Sequence, residues 1–182
     1  MALVKSREVV NAESPLNITL LQGISSGDRM DITIQKAVEL GVNKIIPIKT
    51  ERSVVKLSQE RAEKRLEHWR NVTISACEQS GRATIPLIEA PIGLAFWLAT
   101  NPINSSTRIT LDPLAALRLN NVTKPTESIK LLVGAEGGLT SEELDLASQH
   151  GFIGVQLGKR ILRTETAPLV AIATIQTLWG DF

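Results

Sequence analysis

Two stretches in the C-terminal third hold residue types whose spacing could do chemistry: VGAEGGLTSEEL (133–144) and LGKRILRTETAP (157–168). In the first, an apolar run breaks into Gly134, Glu136, Gly137 and Gly138 within five positions. Glycine lacks a Cβ, so such a loop can bring its own N–H and C=O groups against a ligand. In the second, a strand ends at Gly158 and a basic, hydroxyl-rich loop leads into a helix with Pro168 in its first turn. Both loops follow the carboxyl ends of consecutive expected strands, and in open α/β sheets ligands bind in the crevice beyond those ends. A plain structural reading covers part of the first stretch: a tight strand–turn–helix corner with Thr140 and Glu143 as a capping box. It explains neither a glutamate set between glycines nor the second loop.

The familiar glycine-loop chemistries fail on spacing. A Walker loop needs G-x-x-x-x-G-K-[ST], but Ile153 and Arg160 stand at its first and last positions around Gly158-Lys159. None of the 12 glycines has the G-x-G spacing of a dinucleotide fingerprint. Cys77 is the single cysteine, and His68 and His150 fall on separate expected helices, so no metal site is expected.

Composition sets wider bounds. The chain has 182 residues, 43% of them hydrophobic and 21% charged, with a formal charge of +1. No apolar stretch approaches the roughly 20 residues that span a bilayer. MALVKSREVVNAESP lacks the apolar core of a secretory signal, and one cysteine cannot form an internal disulfide. Together these predict a cytoplasmic protein with no membrane association. Residues 49–82 carry a local excess of three positive charges and residues 134–182 an equal excess of negative charge, so the basic third is where phosphate contacts are first expected. The six aromatic residues, with no tyrosine among them, make stacking platforms for single-stranded RNA sparse.

The elements that must position the two loops alternate. PLNITLLQ (15–22) reads as a strand and SGDRMDITIQKAVELG as a helix stopped by Gly41. KIIPI (44–48) is a short strand that Pro47 pushes toward a sheet edge or strand end. From Ser58 to Gly81, Ala62, Leu66, Trp69, Thr73 and Ala76 form a helical stripe. TIPLIEAP, STRITLDP, SIKLLVGAEGG and FIGVQLG read as strands, and IGLAFWLAT, TSEELDLASQHG and TETAPLVAIATIQTLW as helices. This alternation predicts an α/β domain with a mainly parallel sheet. The last helix is apolar on more than one face, which suits a core, a dimer interface, or both. ALVKSREVV, near the start, is strand-like.

VGAEGGLTSEEL followed by LGKRILRTETA resembles the signature of the ribosomal RNA small subunit methyltransferase E family, uridine N3-methyltransferases of 16S ribosomal RNA in the SPOUT superfamily. TIQKAVELGV, ERSVVKL, HWRNVTISACEQSGR and LDP resemble the same family in the same order, from about Ser14 to the C-terminus. The sequence departs from the family at Ala135, where proline is usual, and at Asp112, where histidine is common. The resemblance implies a mainly parallel sheet flanked by helices with a C-terminal deep trefoil knot, S-adenosyl-L-methionine as cofactor, and 16S rRNA within the small ribosomal subunit as substrate. It also implies a homodimer formed through the knotted region and last helix. Residues 15–182 would be the methyltransferase domain, and residues 1–14 the remnant of, or connection to, an N-terminal PUA-like RNA-binding module. Other readings keep the fold but assign another RNA such as tRNA, or make the chain a cofactor- or RNA-binding domain inactive without that module.

The resemblance also assigns residues. Leu111, Pro113, Gly134, Glu136, Gly137, Gly138, Leu157, Gly158, Ile161, Leu162, Arg163, Thr164 and Ala167 are expected around the cofactor. Removing the N3 proton of uridine leaves an anion spread over two flanking carbonyl oxygens. The planar, always-charged fork of Arg163 suits that anion, unless Arg163 merely braces its loop by pairing with Glu165. Glu136 and Glu165 are candidate proton acceptors, with water an alternative. Lys36, Gln79 and Arg82 are candidate RNA contacts, although Arg82 could instead offset a helix dipole.

Overall fold

A computed structural model describes residues 11–55 and 58–182. The strand-like ALVKSREVV lies outside the described residues. Among the described residues seven strands form one sheet: β1 (Asn17–Gly23), β2 (Lys44–Lys49), β3 (Leu87–Ile88), β4 (Ile92–Gly93), β5 (Thr107–Leu111), β6 (Ser128–Val133) and β7 (Phe152–Val155). Their order is β3-β2-β1-β6-β5-β7, with β4 also on β2, and every pairing is parallel. The helices are α1 (Arg29–Glu39), α2 (Gln59–Ser80), α3 (Leu94–Thr100), α4 (Ser141–Gln149) and α5 (Thr166–Trp179).

Both faces of the sheet are covered, so consecutive residues of one strand are buried, as are Leu20 and Leu21 of β1, Ile45 and Ile46 of β2 and Leu131 and Leu132 of β6. On one face Ile18, Leu20, Ile45, Ile129 and Leu131 meet Ile34 of α1, Trp69 of α2 and Ile172 of α5. On the other, Leu21, Ile46, Ile48 and Leu132 meet Trp97 of α3 and Ala147 of α4. Neighbouring residues of one strand thus serve different layers, and burying each such Leu or Ile contributes about 1.5–3 kcal/mol. Among the described residues no helix is long and apolar enough to cross a membrane.

Pro47 corrects the sequence reading. Strand β2 is interior, with β1 on one side and β3 and β4 on the other. Ile45 O accepts from Glu89 on the outer side, whereas Ile48 O accepts from Ile24 on the β1 side. The alternation of strand backbone groups therefore turns the imide nitrogen of Pro47 outward, into the gap between β3 and β4. TIPLIEAP, expected as one strand, supplies only β3, and β4 is formed by the first two residues of IGLAFWLAT, expected as a helix, which starts instead at Leu94. The proline is tolerated because no partner strand needs a donor there.

Helix boundaries follow local signals. Gly41 and Gly81, at φ +86° and +74°, stand just beyond the ends of α1 and α2. Helix α4 opens with the expected capping box, Thr140 accepting from the backbone of Glu143 and Glu143 from that of Thr140. A single 3-10 turn, Leu119–Asn121, was not foreseen. Helix α5 packs against α1, that turn and β6, although β7, the strand before it, lies at the sheet edge beside β5. Buried Gln176 anchors α5 by donating to Leu40 O and accepting from the Ser14 hydroxyl.

Candidate functional site: a glycine-walled cavity beyond the strand ends

A cavity of about 800 Å³ opens beyond the carboxyl ends of β5, β6 and β7. Three loops wall it: residues 111–114 after β5, 133–139 after β6 and 157–165 after β7. Every residue expected around a cofactor lies on this wall. Leu111 and Pro113 come from the first loop, Gly134, Glu136, Gly137 and Gly138 from the second, and Leu157, Gly158, Ile161, Leu162, Arg163 and Thr164 from the third, with Ala167 at the start of α5.

The glycine loop is folded back on itself. Gly138 N donates to Ala135 O at 2.9 Å, with Gly138 in the left-handed region at φ +68°. A Cβ on Gly134 would stand 2.7 Å from the carbonyl carbon of Gly138, closer than real contacts allow. The turn is thus closed by backbone against backbone. Beneath it the end of β1 approaches equally closely, since a Cβ on Gly23 would lie 2.3 Å from Ala135 N. Arg52 covers the outer side, donating to Gly137 O at 3.1 Å and Leu139 O at 3.3 Å.

Thr164 joins the second and third loops. Its hydroxyl donates to Gly134 O at 3.0 Å and accepts from Gln22 Nε2 at 3.4 Å. These contacts are shielded from water, where such bonds are strongest. Glu136 faces the turn between β1 and α1: its Oε1 accepts from the Ser26 backbone and hydroxyl, both at 2.7 Å, and from Arg29 Nη1 at 3.2 Å. Burial raises the carboxyl pKa, but the Ser26 bonds and the Arg29 charge outweigh it and hold the group below the usual glutamate range.

Arg163 is exposed on the wall. Its backbone O accepts from Thr166 and Ala167, starting α5, while its guanidinium has no partner among the described residues. Glu165 is engaged by Arg29, at 3.8 Å, rather than by Arg163. The loop-bracing pair considered for Arg163 is therefore absent among the described residues.

The three candidate RNA contacts stand apart from the cavity wall. Lys36 is held by Glu39 at 2.8 Å, and Gln79 is exposed on the last turn of α2. Arg82 as an RNA contact is overturned. Its side chain is only 2% exposed, donating to Val38 O at 2.9 Å and Val42 O at 2.8 Å and pairing with Glu13 at 2.6 Å. It binds one carbonyl in the last turn of α1 and one in the segment that follows, and straps residue 13 to the domain. With four of its five N–H hydrogens so committed and its side chain buried, the guanidinium is turned away from any phosphate in solvent.

Sequence reasoning missed Ser26, Arg29, Arg52 and Gln22. Three of them belong to segments beyond the carboxyl ends of β1 and β2. The rule that directed attention to the ends of β6 and β7 applies there equally.

Residues 12–176 match the RNA methyltransferase domain family. The chain is 39% identical over 172 residues to ribosomal RNA small subunit methyltransferase E of Buchnera aphidicola subsp. Acyrthosiphon pisum, covering 94% of this chain and 68% of that protein. With its Bacillus subtilis counterpart identity is 33%, covering 94% of this chain and 71% of the relative. The crystal structure of the Neisseria gonorrhoeae protein of that name, bound to S-adenosyl methionine, superposes with a TM-score of 0.90 at 51% identity, covering 96% of this chain and 71% of that one.

Proposed function

Because the chain belongs to the ribosomal RNA small subunit methyltransferase E family, we propose that it transfers a methyl group from S-adenosylmethionine to N3 of a uridine in 16S ribosomal RNA of the small subunit. The observation that carries the reading is the cavity itself: three loops at adjacent strand ends, a backbone-lined glycine turn, and at its wall the guanidiniums of Arg160 and Arg163, without a side-chain partner among the described residues.

The wall fits such a donor. Leu111, Val133, Leu157 and Leu162 offer apolar surface for an adenine, the glycine turn offers main-chain polar groups, and Glu136 and Glu165 add negative charge that favours a sulfonium. When bound, S-adenosylmethionine supplies an electrophilic methyl group on a cationic sulfur. The chain's own residues handle the base. Arg163 faces the O–N3–O edge and stabilises the anion left when the N3 proton departs to Glu165 or to water. Glu136, with its lowered pKa, is the weaker acceptor. The N3 electron pair then takes the methyl group, giving neutral N3-methyluridine and S-adenosylhomocysteine.

The same reading extends to assembly. Residues 15–182 act as the methyltransferase domain, with Glu13 and Ser14 of the preceding connection tied to Arg82 and Gln176. A trefoil knot accounts for the return of α5 from the sheet edge to its centre and for the lodging of Thr164 against Gly134. Helix α5 leaves Val170 and Leu178 exposed beside the stripe of its buried Ala171, Ile172 and Ile175, apolar surface suited to a second copy of the chain. The test is incubation of the chain and S-adenosylmethionine with assembled 30S particles and with naked 16S RNA, followed by mass mapping of methylated nucleosides. N3-methyluridine at one site is the expected product. Methylation of tRNA alone, or of no RNA, would reject the assignment.

A further inference from the structure

The turn between β1 and α1 contributes a wall residue that neither motif contains. Arg29, the first residue of α1, donates from Nη1 to Ser26 Oγ at 2.9 Å and to Glu136 Oε1 at 3.2 Å. Its Nε stands 3.8 Å from Glu165 Oε2. That oxygen is shielded from water and accepts no hydrogen bond among the described residues. The other arginines of the wall behave differently: Arg52 donates within the glycine loop alone, and Arg160 and Arg163 have no side-chain partner among the described residues.

We infer that Arg29 is a positioning residue of the donor site, tying the carboxylates of the second and third loops to the β1–α1 turn and so setting the spacing of those loops around the ligand. The inference rests on S-adenosylmethionine being the ligand of this cavity.

The chemistry favours arginine. Its planar fork directs Nη1 and Nε at different acceptors, so one side chain addresses both loops. Without it, two carboxylates share the wall with no cation between them, and their repulsion drives the loops apart. With it, the group of Arg29, Glu136 and Glu165 keeps a net single negative charge. The contact to Glu165 is about 1 Å longer than a charge-assisted hydrogen bond, usually 2.7–2.9 Å. A ligand that draws the third loop inward completes that bond, so donor binding and the Arg29–Glu165 contact strengthen each other.

The test uses the full chain and its variants R29M, R29K and E165Q. It measures S-adenosylmethionine binding by calorimetry, kcat and KM for the donor with 30S particles, and thermal melting. R29M is expected to weaken donor binding and raise its KM about tenfold, the loss of a charged hydrogen bond, while kcat at saturating donor changes less than about threefold. R29K is expected to recover most of the affinity, and E165Q to reproduce much of the R29M loss without adding its full effect in the double variant. Donor affinity within about twofold of wild type in R29M, or no recovery in R29K, would overturn the inference while leaving the function intact. If R29M fails to fold, unchanged affinity in E165Q overturns it equally. Absence of donor binding by the wild-type chain removes the functional reading and this inference together.

Discussion

At the scale of single residues, charge partners decide what an arginine can do. Arg82 and Arg163 each follow or sit in a distinctive motif, yet one is sealed against backbone carbonyls and Glu13 while the other stands on the cavity wall with no side-chain partner among the described residues. Arg82→Ala is expected to destabilise the fold by about 1–3 kcal/mol, since it removes the bonds to the carbonyls of Val38 and Val42 and the partner of Glu13, as a shift in the urea midpoint would reveal. Arg163→Ala is expected to fold normally but lose about 10²–10³-fold in kcat; near-wild-type turnover in a single-turnover assay would remove it from the mechanism. The cofactor wall was legible in the sequence because glycine spacing and loop composition are local properties. The destination of Arg82 was not, since its carbonyl acceptors lie 40 and 44 positions away.

At the scale of elements, turns and caps hold the site in shape. The capping box of Thr140 and Glu143 starts α4 directly after the glycine turn, and Glu143 also accepts from Glu51 N at 2.9 Å. Thr140→Ala is expected to lower stability by about 1 kcal/mol, read by chemical denaturation, with a smaller effect on donor affinity. Gly23→Ala tests the close approach beneath the loop. Its new Cβ meets backbone rather than a movable side chain, so donor binding measured by calorimetry is expected to fall even where the protein remains folded. Helix periods and caps were readable from residue types. The interior place of β2 was not, because the tolerance of Pro47 depends on a gap left by β3 and β4.

At the scale of the whole molecule, two carboxylates link stability to pH. The Arg82 hydrogen bond is the chief cause that holds Glu13 below the usual glutamate range. For Glu136, burial is opposed and outweighed by the Ser26 bonds. A lowered folded pKa means that the unfolded chain binds protons first on acidification. The stabilisation is therefore complete above the unfolded pKa, about 4.3 for glutamate, and is lost as pH falls through the lower folded values. Urea unfolding followed from pH 7 down to about pH 3 is expected to show this decline, and Glu13→Gln and Glu136→Gln should each flatten it. An unchanged slope in both variants would show that other carboxylates control acid unfolding.

The sequence by itself determined the alternating α/β plan, the helix ends at Gly41, Gly81 and Thr140, and the two loops that wall the cavity, because each depends on residues near one another in the chain. Tertiary structure alone decided the strand order β3-β2-β1-β6-β5-β7, the burial of Arg82 and the reach of Arg29 to Glu136 and Glu165. Those outcomes depend on which distant groups meet once the sheet is covered on both faces, and a buried charge takes whatever acceptors the packing presents to it.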